Sequence, residues 1–158
     1  DGGHTLEHCE QVTGDTLALV FRELHSHAVH LEGMILKPNM VISGKKCANR
    51  ANAQQVAEAT VRCLKRYVPG AVPGIAFLSG GQSPAEATLH LSLMNRLPGL
   101  PWQLSFSYGR ALQDAALTTW GGKPAGYGAG QKEFAKWARL NGLARTGAFQ
   151  QGMESQAA

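Results

Sequence analysis

The sequence predicts an α/β fold with parallel strands. Three observations lead there: short apolar runs alternate with amphipathic segments, proline and glycine separate them, and polar residues gather where each apolar run ends and a helix begins. Parallel neighbours need a crossover, and a right-handed strand-helix-strand unit supplies one.

The first element is a helix over about 5–25, where Leu6, Cys9, Thr13, Leu17, Phe21 and Leu24 recur at helical spacing. A strand over 29–36 follows, then a polar loop containing Ser43-Gly44-Lys45-Lys46. Residues 53–67 repeat Val56, Ala59, Cys63, Leu64 and Tyr67 as a second helix. Pro69, Gly70, Pro73 and Gly74 break it and open a short strand over 75–78. Ser83 as N-cap, Pro84 at the first helical position and Glu86 in the first turn start a third helix, which runs to about 95. After a turn at 98–101 come a strand over 103–107 and a helix over 110–120. A final helix is expected over 131–141, its start loosened by Gly126, Gly128 and Gly130.

Composition bounds the function. With 158 residues, 44% of them hydrophobic, and no run of about 18 apolar residues, one globular unit without a membrane span is expected. Asp1 opens the chain and no basic-then-apolar leader precedes the first helix, so the sequence reads as processed or as part of something longer. Cys9, Cys47 and Cys63 form no CxxC and no even framework, which suggests reduced thiols in a reducing compartment. The net charge of +4 suits an anionic ligand but is too mild and scattered to indicate nucleic acid. His25 and His27 straddle a helix end and His30 a strand start, so no metal site and no cofactor are expected.

The chemistry lies after the strands. Lys37 ends an apolar run, where partial desolvation disfavours the ammonium and favours the free amine that attacks carbonyls. Pro38 ends the strand at that point. Ser79-Gly80-Gly81 follows the second strand, its glycines leaving backbone amides open toward a ligand ahead of a helix N-terminus. Gly109 and Arg110 repeat this after the third strand and add a guanidinium fork. Two glycine turns and an arginine on one rim read as a phosphate cradle.

The runs Leu31-Glu32-Gly33, Leu36-Lys37-Pro38-Asn39-Met40, Phe77-Leu78-Ser79-Gly80-Gly81-Gln82-Ser83, Phe106-Ser107-Tyr108-Gly109-Arg110-Ala111-Leu112 and Trp120-Gly121-Gly122-Lys123 resemble class I fructose-1,6-bisphosphate aldolases. The resemblance covers the chain to about Phe149. It implies that residues 1–149 are the C-terminal part of a TIM (β/α)8 barrel, strands six to eight with their helices, incomplete as an isolated chain, and that 150–158 is a flexible tail lacking the family's C-terminal tyrosine. It further implies that Lys37 is the Schiff-base lysine, that Ser79, Gly80, Gly109 and Arg110 bind the substrate's C1 phosphate, and that fructose 1,6-bisphosphate is cleaved without a metal. The first five strands, and with them the family's proton-transfer residues, fall outside the resemblance. The implied partners are a phosphorylated sugar, the remaining barrel strands or a companion chain, and copies of itself in a tetramer, in the cytoplasm or a plastid. The alternative is a truncated, inactive half-barrel serving as a structural or assembly subunit.

Overall fold

The computed structural model describes residues 2–156. Three strands, β1 (Ile35–Leu36), β2 (Gly74–Phe77) and β3 (Gln103–Phe106), form one parallel sheet in that order. The helices are α1 (Leu6–Ser26), α2 (Ala53–Tyr67), α3 (Pro84–Arg96), α4 (Arg110–Trp120), α5 (Tyr127–Arg145) and a single turn, α6 (Met153–Gln156). Helices α2 and α3 thus return the chain from the end of one strand to the start of the next, as parallel pairing requires.

The register separates two faces. Leu36 pairs with Ile75 and Ile75 with Leu104, while Phe77 pairs with Phe106. By strand alternation these side chains share the face covered by the helices, and Ile75, Phe77 and Leu104 are buried. Ile35, Gly74 and Gln103 pair on the opposite face, as do Ala76 and Ser105. That face is open, and Ile35 is 60% exposed there.

Local sequence explains the helices. Thr5 caps α1 by accepting from the His8 N–H. Asn52 with Gln55 and Ser83 with Glu86 form capping boxes at α2 and α3. α1 is tied to α2 by Glu10, which receives Arg62 and Arg66, and Gly14 makes room for the Tyr67 ring, 2.4 Å from where a Cβ would stand. The chain after α5 returns to α3, where Ser92 Oγ donates to the Phe149 carbonyl at 2.9 Å and Phe149 is buried. Ala157 and Ala158, the end of the tail expected to be flexible, lie outside the described residues, as does Asp1.

Two expectations need correction. The strand expected over 29–36 is only Ile35–Leu36, preceded by a 3-10 turn at Leu31–Gly33, because β1 pairs only as far back as Gly74 of β2. Ala28, at φ 52°, already turns the chain out of an extended path. Gly126 and Gly130 do not loosen α5, which starts at Tyr127 rather than 131. They let it approach α4: a Cβ on Gly126 would stand 2.4 Å from the Trp120 carbonyl oxygen, and one on Gly130 3.0 Å from that of Ala116.

Candidate phosphate and amine site at the carboxyl rim

The ladder continues past the strands. Leu78 N–H donates to the Pro38 carbonyl at 3.1 Å, and Ser107 N–H to the Phe77 carbonyl at 2.8 Å. Lys37, the Ser79–Gly81 turn and the Ser107–Arg110 loop are therefore held side by side along one rim. Sheet order alone brings all three loops together, as at the carboxyl end of any parallel sheet.

Lys37 is exposed. By alternation it continues the open face of Ile35, so the burial that the sequence suggested is not supplied by the described residues. It borders a cavity of about 540 Å³ between α1 and the rim, lined also by His8, Thr13, Asn39 and Leu78. Asn39 is fixed by donating to Thr13 Oγ1 at 3.0 Å and to the Met40 carbonyl at 3.1 Å. A second cavity of about 430 Å³ shares His4, Cys9 and Asn39 with the first and is lined by Gly80, Gly81, Lys45 and Arg50. Ser79 lies buried beneath its turn, and Gly109 and Arg110 sit on the third loop and border neither cavity.

The turn at Ser79–Gln82 is closed by the Gln82 N–H donating to the Ser79 carbonyl at 3.0 Å. Its central residues have φ of 56° at Gly80 and 77° at Gly81, which L side chains resist. Among the described residues the amides of Gly80 and Gly81 find no protein acceptor. At the third loop, Gly109 caps α4 without a side-chain hydrogen bond, and Arg110 opens the helix, exposed and without an ion-pair partner among the described residues. Free amides, a helix N-terminus and a guanidinium on one rim suit an anion.

The cap of the helix after the glycine turn is the expected one, but it leaves that N-terminus less open to a ligand than the sequence suggested. The first turn of α3 is already occupied: Ser83 accepts from the Glu86 N–H at 3.2 Å, and the Glu86 carboxylate accepts from the Ser83 N–H at 3.0 Å. Burial pushes the Glu86 carboxyl up, but the Ser83 backbone and side-chain hydrogen bonds and the nearby Arg50 outweigh it and hold it below the usual range. The open helix end on this rim is that of α4.

Sequence reasoning missed the layer beneath. Gln82 and His90 are buried, with Gln82 Oε1 2.5 Å from His90 Nδ1. Burial holds the imidazole down to about 4, so it is neutral at neutral pH. Tyr108, also buried, anchors the third loop by donating to the Ala87 carbonyl at 3.0 Å, and burial pushes its phenol up. A polar residue in the buried stripe of α3, beside Ala87, Leu91 and Met94, was the signal available for His90. Among the described residues no three His, Cys, Asp or Glu side chains cluster as metal ligands would. Nor is any described helix long and apolar enough to cross a membrane.

The family model described as "Fructose-bisphosphate aldolase class-I" matches residues 1–158. The chain belongs to the class-I fructose-bisphosphate aldolase family. Fructose-bisphosphate aldolase B of Mus musculus is 53% identical over 150 residues, covering 94% of this chain and 41% of the relative. Fructose-bisphosphate aldolase A of Salmo salar is 50% identical over 159 residues, covering 100% and 44%. A solved structure of fructose-bisphosphate aldolase from Plasmodium falciparum, in complex with TRAP and a small-molecule inhibitor, superposes with a TM-score of 0.93 at 45% identity, over 96% of this chain and 44% of that one. The chain spans less than half the length of these aldolases. The aldolase family has the TIM-barrel fold, and the parallel β1–β2–β3 arc is consistent with a portion of one.

Proposed function

We propose that this chain is the C-terminal part of an aldolase barrel, strands six to eight, and carries the amine and one phosphate subsite of a Schiff-base aldolase. The observation that carries this reading is the stitching of Lys37 beside the glycine turn through Pro38 and Leu78. Lys37 would attack the C2 ketone of fructose 1,6-bisphosphate, and loss of water would leave a protonated imine. That cation accepts the electron pair of the breaking C3–C4 bond as a base takes the C4 hydroxyl proton. Glyceraldehyde 3-phosphate leaves, and protonation and hydrolysis of the enamine return the amine and dihydroxyacetone phosphate. The amides of Gly80 and Gly109, Ser79 and the Arg110 guanidinium would hold the C1 phosphate, fixing the ketone over the amine. The cationic imine supplies the polarisation that this cleavage needs, and no cofactor enters the scheme.

Exposure of Lys37 and Ile35 on the open sheet face supports a further part of the reading: the face is completed by other barrel strands, from the same polypeptide or a companion chain. The same exposure favours the second reading, a half-barrel kept for assembly, for the 158 residues alone. Residues 1–149 as barrel segment and 150–158 as tail, a homotetramer, and a cytoplasmic or plastid setting belong to the proposal through the family. Incubation with dihydroxyacetone phosphate and borohydride, followed by peptide mass spectrometry, should place a reduced adduct on Lys37 that Lys37→Arg abolishes. No adduct under conditions that label a full-length aldolase would leave the assembly reading standing for this chain.

A further inference from the structure

We propose that Gln82 and His90 form a buried clamp that holds the Ser79–Gln82 turn in the shape that presents its amides to a phosphate, with His90 a positioning residue acting through Gln82. The clamp's role rests on the phosphate reading of the turn.

Hydrogen-bond logic orients every member. The Ser79 carbonyl can only accept, so the Gln82 group 2.9 Å from it is the amide nitrogen. Gln82 Oε1 then faces His90 Nδ1, which must carry the hydrogen. Gln82 therefore grips one carbonyl twice, through its side chain and through its own N–H at 3.0 Å. Its nitrogen also reaches Met40 Sδ at 3.5 Å, joining the turn to the segment that begins with Lys37. Gln82 is 8% and His90 6% exposed, so water does not readily replace these bonds. Gln82 lines the cavity at the glycine turn and His90 does not; His90 lines only a smaller one of about 170 Å³ together with Gln82 and Glu86, so it reaches the turn through Gln82.

The test uses the full chain, amide hydrogen exchange and titration with inorganic phosphate followed at the Gly80 and Gly81 amides. His90→Leu should speed exchange of the Gln82 amide and weaken phosphate, each about tenfold, the worth of one buried hydrogen bond. Exchange at Leu91 and Met94 should stay at wild-type rates, showing that α3 is intact. His90→Asn, whose amide can donate near the Nδ1 position, should restore both readouts. Gln82→Met should match His90→Leu, and the double variant should be no worse than either single one. Arg110→Ala should weaken phosphate while leaving Gln82 exchange unchanged. Unchanged Gln82 exchange in both His90→Leu and Gln82→Met would overturn the clamp, and His90→Asn behaving as His90→Leu would overturn its hydrogen-bond basis. Absence of any phosphate-induced shift in the wild type would overturn the anion reading, and the clamp's role for a ligand with it, even if exchange responds. Should His90→Leu fail to fold, the contrast between His90→Asn and Gln82→Met decides.

Discussion

The Leu78 N–H donates to the Pro38 carbonyl at 3.1 Å, one residue beyond β2 and two beyond β1. Pro38 has no N–H of its own, so its carbonyl is the group through which it joins the ladder. That bond sets the lysine loop against the phosphate turn. Replacing Pro38 with Ala keeps the carbonyl but frees the backbone and removes a buried ring. Stability to urea should fall by about 1 kcal/mol. Borohydride trapping at Lys37 should slow more than this loss of folded protein accounts for, since the amine would be held less firmly beside the turn.

Glycine substitutions along the rim should separate backbone strain from ligand contact. Gly81→Ala, at φ 77°, should cost about 1–2 kcal/mol in urea denaturation because an L residue resists that region. Gly109 has φ −87° and nothing within 4 Å of where a Cβ would stand, so Gly109→Ala should change stability by less than about 0.5 kcal/mol. Equal losses in the two variants would refute this difference.

The order of helices and strands was legible because proline and glycine punctuate nearly every junction, and the Ser83-Pro84-Glu86 cap fell where it was expected. The length of β1 was not legible. Alternation in 29–36 records apolar side chains, but strand pairing is set by the partner, and Gly74 is where β2 begins to accept it. At the site, the rim residues Lys37, Ser79, Gly80, Gly109 and Arg110 stood out through their chemistry. Gln82 and His90 did not: the buried stripe of α3 marks His90 as buried, but its pairing with Gln82 eight positions earlier is a contact that the stripe does not encode. The helix glycines misled for a related reason: propensity describes an isolated helix, whereas Gly126 and Gly130 answer to the α4 backbone.

Around the start of α5 and along it, the glycines should therefore divide by surroundings. Gly126→Ala would push a methyl onto backbone atoms of α4 and should lower stability by about 2 kcal/mol, read as a drop in thermal midpoint. Gly128 and Gly142 have nothing within 4 Å of a Cβ position. Ala at either should raise stability, by up to about 1 kcal/mol, through helix propensity alone. A destabilised Gly128→Ala chain would show that this part of α5 is not the open helix surface described.

Stability should also fall with acid in two separable windows. His90 is lowered from 6.5 to about 4 by burial, with the Glu86 charge opposing this and Arg50 adding to it. Between those values the unfolded chain binds a proton that the folded chain does not, so stability rises with pH across that window and is lost as pH falls through it. The full shift corresponds to a loss of about 3 kcal/mol. Glu86 acts in the same direction but lower down, because its depressed carboxyl contributes its full stability only above the ordinary value of 4.5. Its side chain is 42% exposed, and its share is correspondingly smaller. Urea denaturation at pH 7 and at pH 5 should show the His90 loss in the wild type. His90→Asn, which does not titrate, should flatten the curve between about pH 6.5 and 4.5 and leave the smaller loss below it. A wild-type curve already flat across that interval would mean that the imidazole is not held neutral by the fold.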